Sequence, residues 1–189
     1  MSYYDIALEY TADVISGKIP ACLYVKQACE RFQSDLRRSI NEDGIWFDID
    51  TAEKKCRILE KYPHVKGRWA GQLFKLSPWQ VFCNINIFGF KIIRGGKKKN
   101  IRRFREFYVE VPRKNGKTFW VAGIGLLMLT EDDEQGAEIY CGATTEKQAH
   151  EVFNPAKQIC QRDSDIREKY GIQPNAKSIV VPSTGGKFE

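Results

Sequence analysis

Histidine is scarce in this sequence: there are two in 189 residues, His64 and His150, and they lie far apart. The six cysteines, Cys22, Cys29, Cys56, Cys83, Cys141 and Cys160, include no Cys-x-x-Cys pair. Together these argue against a zinc site and leave reduced, mostly buried thiols as the expectation. No run of about 18 apolar residues occurs, which points away from a membrane-spanning helix. The N-terminus, MSYYDIALEY, carries acids where a secretion signal has a basic start, so a cytoplasmic location is expected. Internal repeats are absent. What is present, 42% hydrophobic and 29% charged residues, is the balance of an ordinary soluble domain with a sizeable core. A net charge of +6 mildly favours a polyanionic partner.

From residue 3 to about 40 the pattern is helical, with Leu23, Cys29, Phe32 and Leu36 near one face and a break at Gly17 and Pro20. A further helix is expected over 51–61, stopping at Tyr62-Pro63. The texture then turns aromatic and basic. FGFKII and IRRFREFYVEV read as strands flanking the turn RGGKKKN, and residues 109–111 lead on to a Gly-Lys-Thr triplet. FWVAGIGLLML continues as an apolar helix that ends in the acidic run 131–134, expected to be solvated. AEIYCGATT is a strand, and residues 145–162 form a helix with a capping box between Thr145 and Gln148 and a bend near Pro155. SIVV is another strand. Strands alternating with helices predict a parallel sheet with helices on its faces.

The stretch EVPRKNGKTFW holds the triplet Gly116-Lys117-Thr118 between a β-branched strand and a helix. Free N–H groups and the positive end of a helix dipole converge there on an anion. Gly116 lets the backbone approach phosphates, Lys117 can reach the β and γ oxygens, and the Thr118 hydroxyl can coordinate Mg²⁺. What is lacking is the first glycine of the G-x-x-x-x-G-K-[ST] pattern, since Val111 stands in its place. The loop must then start differently, with the fixed φ of Pro112 as one means. A basic turn capping a buried helix is the plainer alternative. Arg113 could lie against a γ-phosphate or simply be solvated. Gln80, beside Trp79, could pair with an adenine edge or lie on the surface. Ser16-Gly17-Lys18 is a decoy, because Ile19 has no hydroxyl to offer a metal.

Four stretches taken together resemble the large terminase subunit of tailed bacteriophages: SGKIPACLYVKQACERF, HVKGRWAGQLFKLSPWQVF, VEVPRKNGKTFWVAGIGLLML and AEIYCGATTEKQAHEVFNPAKQI. That family carries a phosphate loop without the first glycine and with an arginine inside it. The resemblance implies an ATP-driven DNA-packaging motor in the host bacterial cytoplasm, using ATP and Mg²⁺. Its fold would be a P-loop NTPase-type parallel sheet flanked by helices, incomplete at the C-terminus, with a helical region 1–62 ahead of an ATPase portion 63–189. By the same resemblance Pro112, Arg113, Lys114, Asn115, Gly116, Lys117 and Thr118 would form the nucleotide site. Arg113 and Lys117 would act on the phosphates and Gln80 on adenine. Thr144 and Thr145 would match a segment that couples nucleotide state to DNA. Partners would be double-stranded DNA, a small terminase subunit, the portal or capsid, and further copies of the chain. The later acidic strand and the nuclease domain of the family lie outside this sequence, so it is expected to be an N-terminal piece, weak or inactive alone. The competing expectation is a non-enzymatic DNA-binding fragment. Its contacts would come from the basic segment 91–105, including Lys97, Lys98, Lys99, Arg102 and Arg103, which contains no acid.

Overall fold

A computed structural model describes residues 1–189, and no helix in it is long and apolar enough to cross a membrane. Compactness divides the chain into one unit of residues 1–57 with 76–109 and another of 58–75 with 110–189.

The first unit holds α1 (Tyr3–Ile15), α2 (Leu23–Ile40), β1 (Ile45–Phe47), most of α3 (Ile49–Leu59), α4 (Pro78–Gly89), β2 (Phe90–Arg94) and β3 (Lys97–Arg102). Helix α1 starts in a capping box in which the Asp5 N–H donates to Ser2 Oγ and the Ser2 N–H to Asp5 Oδ2, both at 3.0 Å. Pro78 opens α4, where a missing N–H costs nothing. From Gln80 to Gly89 every residue of α4 is buried, the one long element that the sequence pattern does not predict. β1, β2 and β3 pair antiparallel in that order, with Ile45 opposite Ile92 and Ile93 opposite Lys98. Gly95 and Gly96 turn the hairpin with φ of +61° and +67°, the two positive angles of a two-residue turn that matches strand twist. The core gathers Phe32, Phe82, Phe88 and Phe90. Phe32 meets Phe82 and Phe90 edge-on at 5.5 and 5.8 Å between ring centroids.

The second unit contains α5 (Lys117–Glu131), β4 (Glu138–Ile139), α6 (Glu146–Arg162), α7 (Ser164–Tyr170), β5 (Gln173–Pro174), β6 (Ile179–Val181) and β7 (Gly186–Phe188). Its sheet runs β4-β7-β6-β5. Of the parallel sheet expected from the sequence the structure shows one parallel pair, β4 with β7, while β5–β6 and β6–β7 are antiparallel. A short turn joins β6 to β7, and so tight a connection forces an antiparallel pair. Residues 109–111 form no strand, because no neighbouring strand offers a ladder for them. Helix α6 accommodates Pro155 without ending. Its Thr145 cap accepts from the Gln148 N–H at 3.3 Å. The return bond of the expected capping box is replaced, since Gln148 Oε1 accepts from the Thr144 hydroxyl instead. Glu131 is not a solvated helix end: its side chain is 7% exposed and accepts from Lys169 Nζ at 2.9 Å and from the Tyr170 hydroxyl. Cys29, Cys56, Cys83 and Cys160 are buried free thiols. Burial pushes Cys83 and Cys160 up to about 12, which keeps them protonated and unreactive at neutral pH.

The close approach of α5 to the sheet depends on Gly125, where a Cβ would stand 2.7 Å from Cε1 of the buried Phe188. Gly125→Ala is expected to cost about 1–3 kcal/mol in urea unfolding, because a ring packed in a core has nowhere to retreat. Gly142→Ala, where nothing lies within 4 Å, should be close to neutral.

Candidate phosphate-binding site

Residues 112–116 form an exposed turn that runs directly into α5. Gly116 caps the helix in the left-handed region, φ 72° and ψ 7°. Two residues earlier Lys114 also has a positive φ, 71°, the conformation that favours glycine. Two left-handed residues flank Asn115, and left-handed residues in a turn are one ingredient of the backbone nests that hold anions. Val111 is not among the positive-φ residues. The left-handed bend falls instead at Lys114 and Gly116.

Asn115 has a role that the motif does not show. Its Nδ2 donates to Pro112 O at 3.2 Å and to Arg113 O at 3.4 Å, strapping the neck of the turn. Lys117 Nζ lies back over the loop and donates to Val111 O at 3.1 Å. Arg113, Lys114 and Lys117 are all exposed, so three cations surround a helix N-terminus. Thr118 follows in the first turn, half-buried. A triphosphate with Mg²⁺ fits this donor set: the helix N-terminus and the cations meet the phosphates, and the hydroxyl is a hard oxygen suited to the metal.

Phe119 anchors the helix start. Its ring stacks on His64 at 4.8 Å between centroids, and Phe74 packs against both, at 5.0 Å from Phe119 and 5.3 Å from His64. Burial pushes the His64 imidazole below its ordinary value, so the ring is neutral at physiological pH. The sequence shows only the aromatic and basic texture that begins at GRWAGQLF, with no sign that Phe74 meets His64 and Phe119.

The family described as terminase large subunit, ATPase domain, matches residues 78–185, more than half of the chain. The chain belongs to that terminase family. A large terminase subunit of Enterobacteria phage HK97 is 27% identical over 130 residues, covering 68% of this chain and 24% of that protein. The chain thus spans about a quarter of the length of this relative. No solved structure gives a significant match.

Against this terminase background the remaining candidate residues fall in different places. Gln80 is 1% exposed, and its Oε1 accepts from the Ser77 N–H at 2.8 Å and the Ser77 hydroxyl at 3.0 Å. Reading an adenine edge with both ends of the amide would require this cap to open. Thr144 and Thr145 sit at the exposed start of α6. The basic hairpin is not a uniform patch. Lys91 is buried, with Nζ 2.7 Å from Asp48 and 2.5 Å from Asn100, and Arg103 pairs with the buried Asp35. Lys98 is 2.7 Å from Glu42, while Lys97 and Lys99 stand exposed on the hairpin. Arg102, at the end of β3, is half-buried.

Proposed function

We propose that this chain is the nucleotide-binding part of a DNA-packaging motor, taking MgATP into the turn at residues 112–118. One observation carries the reading: the left-handed pair Lys114 and Gly116 bends an exposed turn into the N-terminus of a 15-residue helix, among three exposed cations. In this reading Pro112 and Asn115 hold the turn, and Gly116 admits the phosphates to the backbone. Lys117 leaves Val111 O for the β and γ oxygens, and Thr118 meets the Mg²⁺. Arg113 and Lys114 lie beside the outer phosphate, where a guanidinium stabilises the charge that spreads over the equatorial oxygens in phosphoryl transfer. Thr144 and Thr145 pass nucleotide state towards DNA. Family membership supports double-stranded DNA, a small terminase subunit, the portal and further copies of the chain as partners.

The test is titration of a fluorescent ATP analogue. Saturable binding that needs Mg²⁺ and is competed by ATP supports the reading. A folded chain that does not bind the analogue sinks it. For DNA, Lys97 and Lys99 are the exposed phosphate contacts. Changing both to alanine should lower the slope of log affinity against log salt by roughly 1–2, and an unchanged slope would clear the hairpin of that role.

A further inference from the structure

The segment 58–75 runs along α5 towards the phosphate turn. Leu59 and Tyr62 lie against Gly123, where a Cβ would stand 2.9 and 3.4 Å from their side chains. His64 and Phe74 then meet Phe119, one turn nearer the helix start. At 1.5 Å per residue, Phe119 is only about 4.5 Å along the axis from Gly116. The loop 66–73, held between His64 and Phe74, therefore leaves α5 at its phosphate end.

This loop is closed by its own backbone. The His64 N–H donates to Gln72 O and the Gly71 N–H to His64 O, each at 2.8 Å. The Gln72 N–H donates to Trp69 O at 2.9 Å, and Pro63 pairs with Leu73 as an isolated bridge. Gly67 and Gly71 take the positive φ angles, 72° and 85°, that allow the turn. The fold spends this order on an exposed tip. Trp69 is 49% exposed, and the Arg68 guanidinium lies over its ring, 4.8 Å from the centroid. Lys66 and Arg68 are exposed, and residues 61–75 contain no acid. A rigid indole with a cation on one face suits a flat, electron-rich ring carried on an anion. Gln80, the residue expected to read the base, has its amide oxygen committed to the α4 cap.

We propose that Trp69, backed by Arg68, is the stacking platform for the base of the nucleotide whose phosphates enter the turn at residues 112–118. The proposal rests on the MgATP reading given above. Affinities for MgATP and for inorganic tripolyphosphate with Mg²⁺ separate the two claims, measured by calorimetry on the 189-residue chain and its variants. Trp69→Ala should weaken MgATP about tenfold and leave tripolyphosphate unchanged, while Trp69→Phe keeps most of the ATP affinity. Equal binding of ATP and tripolyphosphate by the parent chain removes the platform and leaves the phosphate site standing. Equal weakening of both ligands by Trp69→Ala makes the indole a structural element and overturns the proposal. Binding of neither ligand by the parent chain overturns both claims. Loss of single-stranded oligonucleotide binding in Trp69→Ala, with ATP affinity intact, assigns the indole to DNA and overturns it as well.

Discussion

Lys117→Ala should abolish MgATP binding, by at least about 100-fold, and leave the fold untouched. In the proposed complex the ammonium meets two phosphate oxygens. Charge-assisted hydrogen bonds contribute about 1.5–3 kcal/mol each, and 1.4 kcal/mol is tenfold in affinity. The helix N-terminus remains in the variant, but it is a partial charge and does not replace a full one. In the free chain Lys117 is exposed and makes one hydrogen bond, to a carbonyl. Its loss should therefore move the unfolding midpoint by no more than a surface substitution does, about 0.5 kcal/mol. Fluorescence titration of both proteins, with circular dichroism as the control, reads the two effects separately. Retention of affinity in the variant would mean that the turn does not hold the triphosphate.

Asp35→Ala should be the most damaging single change in the first unit. The carboxylate of Asp35 is 3% exposed and lies among three guanidinium groups. Arg31 Nε is 3.9 Å away, Arg38 Nη1 is 3.7 Å away, and Arg103 is in contact from the end of the hairpin. Phe104 fills the space beside them, with Arg31 4.7 Å and Arg103 5.0 Å from its ring centroid. Asp35 is thus the buried negative charge at the centre of a cluster that ties α2 to the end of the hairpin, with the exposed Asp43 reaching Arg38 alone. Its removal leaves mutually repelling cations, one of them largely buried, and breaking such a buried arrangement costs about 3 kcal/mol or more. Asp43→Ala, which removes an exposed partner of Arg38 at 3.1 Å, should cost less than about 1 kcal/mol. Urea unfolding of the two variants compares them. Equal stabilities would show that the cluster is solvated and contributes nothing.

The elements legible in the sequence are those whose signals are local. Gly17 and Pro20 separate α1 from α2, Thr145 caps α6, and the Gly95-Gly96 pair turns the hairpin. Helix α4 escaped because VFCNINIFGF is buried on all sides, and a run without a polar face has no period to read. Residues 109–111 carry a strand pattern, but a strand exists only with a partner, and composition does not supply one. In the site, Gly116, Lys117 and Thr118 are visible as types in a motif. The left-handed backbone falls on Lys114, where no sequence rule places it, and the Asn115 strap depends on carbonyls that only the folded turn brings within reach. Charge counting likewise could not tell Lys97, which faces solvent, from Lys91, which faces Asp48.

The contact between Lys117 Nζ and Val111 O sets a threshold. The carbonyl takes one of the three ammonium protons, and an incoming anion that draws the side chain forward has to offer more than that carbonyl does. A small monovalent anion gains little by that exchange, whereas a multiply charged phosphate gains a great deal. If the proposed reading holds, the resting loop is its own weak competitor and favours a triphosphate over a singly charged anion.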